Sequence, residues 1–314
     1  MKRMGILVFA FLCFLWSPSS LQAEERFTLM LDWFPNVDHL PLYVAQQDGL
    51  FAREGLFVEF LSPSETSDAL KLAASNQVDM AVAYEPQTII AAARGLKIQA
   101  IGRLIEHPLT TLLFLKGKGI SKPADLTGKR IGYTVPGMMD VLMEAFARIN
   151  GIGPYSAINV GFSIVQSLTA NRVDAIMGPY KNYETVELEH KGFEPAYFAL
   201  EEWGIPDYDE LVFVAGPKAL ETKARALQAF TRVVDEAIAL TRSNPQRALE
   251  TYFKAVPEAP VEMEREAFKR TLPVYARTQA LDPSRWQRFA DFALQYGLIE
   301  KPVNVKTVIH PWAP

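Results

Sequence analysis

From about residue 27 to residue 115 the chain alternates short apolar runs with stretches of helical periodicity, and this alternation restricts it to an α/β architecture with mainly parallel sheets. Strands are predicted over 27–31, 57–61, 80–84, 98–104 and 111–115. Helices are predicted between them: 41–48, with Pro41 in the first turn and Gly49 as the stop, then 67–75 and 86–94. Lys116-Gly117-Lys118-Gly119 reads as a crossover, because a fresh α/β pattern follows it. That second pattern gives strands at 129–133, 173–177, 197–199 and 211–215, with helices at 138–149 and 165–170. Beyond it, 219–243, 245–253, 261–271 and 283–296 carry apolar residues at three- and four-residue spacing and are packing helices. The tail from Val303 has no helical signal and is expected to wrap over the first lobe. Two lobes are therefore expected, one from 24–115 plus 215–314 and one from 116–214, with a ligand cleft between them.

In open α/β sheets ligands sit beyond the carboxyl ends of strands, where loops and helix N-termini present unpaired N–H groups. Two strand-end loops here hold residues that are hard to assign to packing. The first is Asp32-Trp33-Phe34-Pro35-Asn36-Val37-Asp38-His39, two flat apolar side chains among hydrogen-bonding groups of both signs. The same residues are equally compatible with Trp33 plugging the core and Asn36 and Asp38 shaping an Asx turn. The second is Gly178-Pro179-Tyr180-Lys181-Asn182-Tyr183-Glu184, which again follows an apolar strand with aromatic and carboxylate groups before a helix. For Glu184 alone, a first-turn carboxylate favoured by the helix dipole explains the residue as well. Tyr84 and Glu85 end another strand and should line the same cleft, and Gly137 precedes a helix where backbone N–H groups could approach a ligand oxygen.

The amino terminus orders a charged start (Met1-Lys2-Arg3), an apolar run at 6–16 too short to span a bilayer, and a small residue at Ala23. This predicts a cleaved signal peptide over 1–23. The only cysteine, Cys13, leaves with it, so the mature chain is expected to have no disulfide, thiol nucleophile or cysteine-based metal site. The four histidines are scattered, and no G-x-S-x-G elbow supports a hydrolase. A net charge of −4 without a long basic run argues against a nucleic-acid partner.

The opening resembles that of periplasmic thiamine-precursor pyrimidine-binding proteins and the related fungal thiamine-pyrimidine synthases. The matching residues are Asp32, Trp33, Pro35, Asn36, His39, Tyr43, Val44, Ala45, Gly49, Phe51, Glu54, Gly55 and Leu56. Further blocks agree at Val78-Asp79-Met80-Ala81, Glu106-His107-Pro108-Leu109-Thr110, Leu126-Thr127-Gly128-Lys129-Arg130-Ile131-Gly132-Tyr133 and Asp174-Ala175-Ile176-Met177-Gly178, and the likeness fades after about residue 215. The resemblance implies a type II periplasmic binding protein fold, two lobes with a hinge, and a solute-binding component of an ABC importer. It would be monomeric and without a cofactor, passing a pyrimidine to a membrane permease and its ATPase. It also implies ligand contacts at Asp32, Trp33, Asn36, His39, Tyr84, Glu85, Pro108, Thr110, Gly137, Tyr180, Asn182 and Glu184. A carboxylate at Glu184 can accept from a ring amine and share a proton with the neighbouring ring nitrogen. The synthases carry a lysine and, four residues on, a histidine where this chain has Ala83 and Gln87, and a cysteine cluster where it has Leu211-Val212-Phe213-Val214-Ala215-Gly216. Their self-consuming chemistry therefore has no carriers here, and binding is the expectation. Riboflavin and small sulfonates are the alternative ligands, since relatives bind them on a similar scaffold.

Overall fold

The computed structural model describes residues 25–311. The expected signal segment and its cleavage after Ala23 lie outside the described residues, as does the end of the tail.

The first lobe begins with β1 (Glu25–Met30), α1 (Leu40–Gln47), α2 (Leu50–Arg53), β2 (Leu56–Leu61), α3 (Asp68–Ala74), β3 (Met80–Ala83), α4 (Glu85–Ala93) and β4 (Gln99–Ile105). Pro41 and Pro86 sit in the first turns of α1 and α4, where no N–H is missed, and Gly49 ends α1 in the left-handed region at φ 69°. The second lobe holds β5 (Thr110–Leu115), β6 (Arg130–Tyr133), α5 (Met139–Ile149), β7 (Ser156–Asn159), α6 (Ile164–Thr169), β8 (Ala175–Tyr180), α7 (Glu184–His190) and β9 (Pro195–Ala199). The chain then returns as β10 (Leu211–Ala215), followed by α8 (Pro217–Thr222), α9 (Ala224–Ser243), α10 (Pro245–Ala255), α11 (Val261–Thr271) and α12 (Pro283–Gln295).

Each lobe is built on a five-stranded sheet, in the orders β2-β1-β3-β10-β4 and β7-β6-β8-β5-β9. The sheets are mixed rather than mainly parallel, because the first strand after each crossing enters against its neighbours: β5 is antiparallel to β8 and β9, and β10 to β3 and β4. The crossings consequently fall at 106–109 and 200–210, not near 116 and 214. β5 is buried along its whole length, so its apolar pattern is the same in either sheet, and only its pairing assigns it to the second lobe. Lys116-Gly117-Lys118-Gly119 is a turn inside that lobe, with Gly117 and Gly119 both at positive φ. Strand β7, which the sequence pattern did not single out, is an exposed edge strand with no apolar signature.

The tail lies on the first lobe as expected, for the described residues: Ala100 N donates to Val308 O at 2.8 Å and His310 N to Ala100 O at 2.9 Å. The helices α9–α12 pack around the first sheet, with Trp286, Phe289, Phe230 and Tyr252 fully buried. Among the described residues no helix is long and apolar enough to cross a membrane, and no group of three or more His, Cys, Asp or Glu side chains could hold a metal ion.

Candidate functional site

The two strand-end loops meet. After β1 the chain turns through Asp32–Asn36 and enters a short helical turn over Val37–His39, capped by the Asn36 side chain, which accepts from Asp38 N at 2.8 Å. The Asx-turn role and a place at the cavity wall thus belong to the same residue. After β8, Tyr180 to Glu184 bring the second lobe up to this turn, and a narrow cavity lies between them.

From the first lobe the cavity is lined by Asp32, Trp33, Asn36, Asp38, His39 and Tyr84, together with Leu211 of β10. The second lobe contributes Thr134, Met139, Ile164 and Gly178, and then Tyr180, Tyr183 and Glu184. Seven of the residues singled out from the sequence are therefore at the wall: Asp32, Trp33, Asn36, His39, Tyr84, Tyr180 and Glu184. The other five do not line it. Glu85 is fully buried behind it, where Oε2 accepts from Asp209 N at 2.7 Å. Pro108 and Thr110 lie in or beside the first crossing, and Thr110 is fully committed to the Glu210 carboxylate through both its N–H and its hydroxyl, each at 2.8 Å. Gly137 has positive φ, but its N–H already donates to Asp140 Oδ1 at 2.7 Å, so α5 caps its own start and offers that group to no ligand. Asn182 sits in a second layer, donating to Asp38 Oδ1 at 2.6 Å and to Thr271 Oγ1 at 2.7 Å.

Some wall residues carried a sequence signal that spacing alone does not rank. Asp38 and Tyr183 stand inside the two loops already marked, and Thr134 and Met139 flank the Pro136-Gly137 turn. Gly178 opens the second of those loops: it adopts φ 123°, and a Cβ there would lie 2.1 Å from Thr134 Oγ1, so only glycine lets β8 pass this close to β6.

The wall is acidic. Asp32 accepts from Tyr84 OH at 2.9 Å and its other oxygen lies 2.9 Å from His39 Nε2. Burial pushes the Asp38 carboxyl up to about 6, against the lowering influence of His39 and the Asn182 bond. Burial also raises Glu184 to about 8, opposed by the Tyr180 N–H that donates to its Oε2 at 2.7 Å. Burial therefore favours the protonated form of Glu184. Among the described residues no lysine or arginine lines the cavity.

Cross-lobe contacts close the cleft. Besides Asn182 to Asp38, Tyr183 OH donates to Glu264 Oε1 at 2.9 Å while Val37 N donates to Oε2 of the same carboxylate at 3.0 Å. Thr66 Oγ1 donates to Thr134 O at 2.6 Å. Trp33 is half-buried, packs against the second lobe's small apolar cluster around Leu113 and Ile164, and meets Phe162 edge-to-face with ring centroids 4.6 Å apart, so it combines a packing role with a place at the cavity wall.

Comparison with known proteins fits this arrangement. A protein of Haemophilus influenzae named for thiamine biosynthesis is 35% identical over 288 residues, covering 90% of this chain and 91% of its own. The formylaminopyrimidine-binding protein of Halalkalibacterium halodurans is 29% identical over 293 residues, covering 90% and 88%. Other relatives are named 4-amino-5-hydroxymethyl-2-methylpyrimidine phosphate synthase, among them one from Legionella pneumophila that is 27% identical over 287 residues, covering 90% of each chain. In fold, the periplasmic aliphatic sulphonate binding protein of Escherichia coli superposes with a TM-score of 0.70 at 15% identity, covering 91% of this chain and 92% of that one. The two-lobed architecture is that of periplasmic binding proteins. A family profile described as NMT1/THI5 like matches residues 36–248, and the chain belongs to that family.

Proposed function

We propose that this protein is the periplasmic solute-binding component of an ABC importer and captures an unphosphorylated thiamine-precursor aminopyrimidine, of the formylaminopyrimidine or hydroxymethylpyrimidine type. The observation that carries this reading is the make-up of the cavity wall: three carboxyl groups, Asp32, Asp38 and Glu184, flat aromatic side chains, and no lysine or arginine. Such a wall suits a planar ligand rich in hydrogen-bond donors. A sulfonate would meet buried acidic groups with no basic partner beyond His39, which is already bonded to Asp32. A phosphate ester is disfavoured in the same way, since the α5 N-terminus that could receive it is capped by Asp140. Both points favour capture of a free pyrimidine over formation of a phosphorylated one, as do Ala83 and Gln87 at the places that the resemblance fills with lysine and histidine in the synthases. Glu184 would make the two-point contact with the ring, Trp33 and Tyr180 would face its plane, and a membrane permease with its ATPase would receive it.

Thermal-shift and calorimetric titration of the mature chain against aminopyrimidines, riboflavin, alkanesulfonates and hydroxymethylpyrimidine phosphate would test the proposal. Saturable binding of the unphosphorylated aminopyrimidines alone is expected. Tighter binding of a sulfonate or of the phosphate ester would refute it.

A further inference from the structure

We propose that Asp38 is a second recognition carboxylate of the cavity, selecting ligands whose side arm carries an amine or ammonium group in addition to the ring amine that meets Glu184. This rests on the reading of the cavity as an aminopyrimidine site and names which aminopyrimidine it favours.

Asp38 lines the cavity and is 1% exposed. Its two oxygens are used unequally. Oδ1 receives the Asn182 amide at 2.6 Å and lies 3.1 Å from Thr271 Oγ1, whereas Oδ2 is buried without a hydrogen-bond partner. The carbonyl oxygen of Asn182, on the amide that already holds Asp38, is likewise buried and without a donor. A buried acceptor left unmet costs about 1–3 kcal/mol, more when charged, so the wall carries a standing deficit of donors at this point. Among the described residues none repairs it: His39 Nε2 is engaged with Asp32, and no lysine or arginine reaches the wall. An ammonium brings three donors and the missing positive charge; a hydroxyl brings one donor and no charge; a phosphate brings acceptors only. Because Asn182 belongs to the second lobe, an ammonium at Asp38 also charge-balances the contact that joins the lobes.

The test is calorimetric titration of the mature chain at pH 7 with the aminomethyl, hydroxymethyl and phosphorylated hydroxymethyl forms of the aminopyrimidine, on wild type and Asp38→Asn. In wild type the aminomethyl form should bind about tenfold or more tightly than the hydroxymethyl form, as a charged hydrogen bond exceeds a neutral one, with the phosphate weakest. Asp38→Asn should narrow that preference to about threefold or less, whatever it does to the absolute affinities of both forms. Equal affinities in wild type, or a preference that survives Asp38→Asn, would overturn the inference while the aminopyrimidine site stands. Failure of every unphosphorylated aminopyrimidine to bind would overturn the functional proposal and this inference with it. If Asp38→Asn does not fold, the wild-type ranking decides alone.

Discussion

Aminopyrimidine affinity should fall with rising pH above neutrality, and Glu184 should be the cause. In the free protein burial holds its carboxyl at about 8. About nine-tenths of molecules then carry the proton at pH 7 and about one-tenth at pH 9. A ring nitrogen beside an exocyclic amine needs that proton, on either partner, for the two-point contact. Molecules that have lost it must take it back to bind. The sign follows: affinity is full well below 8 and is lost as pH rises through 8, approaching a tenfold loss per unit. Between pH 7 and pH 9 the association constant should drop about tenfold, or about 1.4 kcal/mol. Asp38 near 6 has largely titrated below this window, and Glu264 and Glu210, near 7, do not line the cavity. Calorimetry in buffers of differing ionisation enthalpy should find uptake of about one-tenth of a proton at pH 7 and about nine-tenths at pH 9. Glu184→Gln keeps a donor and an acceptor but cannot charge. It should bind about 1–2 kcal/mol more weakly at pH 7 and show no such slope. Flat wild-type affinity across the window, or the same slope in Glu184→Gln, would refute the assignment.

Trp33→Ala should weaken binding at least about tenfold while the fold survives, because Trp33 is only half-buried where it meets Phe162 and the second lobe's apolar cluster; unfolding with intact affinity in the folded fraction would make it a packing residue instead. The ligand-free protein should melt at a higher temperature at pH 5 than at pH 8. Burial raises Asp38, Glu184, Glu210 and Glu264 in the folded state, so it binds more protons than the unfolded chain and loses stability as pH climbs through 6 to 8; a Tm that rises over that range would contradict the burial of these groups. Asp209→Ala should cost about 3–5 kcal/mol in denaturant unfolding, since it strands the buried Arg103 and Arg285 and the Trp286 N–H that converge on it.

The α/β class and the two cavity-lining loops are legible because strand-break-helix grammar is local. Asp32, Trp33 and Tyr180 were found from the residues beside them. What the sequence could not carry was pairing. The pattern of β5 reads identically in either sheet, so the crossings were displaced by several residues. The same limit applies to side chains in the crossings and behind the wall: Glu85, Thr110 and Asn182 have the chemistry of ligand contacts, and only three-dimensional position shows them spent on Asp209, Glu210 and Asp38. Proton occupancy was also hidden, since it comes from burial that no local spacing records.

The Glu210 carboxylate has a mechanical consequence. One oxygen takes the N–H groups of both Leu109 and Thr110, at 2.5 and 2.8 Å, and the other takes the Thr110 hydroxyl. The outgoing and returning chains are thereby laced side by side like the spine of a book. Parting the two chains would break these three hydrogen bonds together, so any movement of one lobe on the other has to carry the pair as a unit.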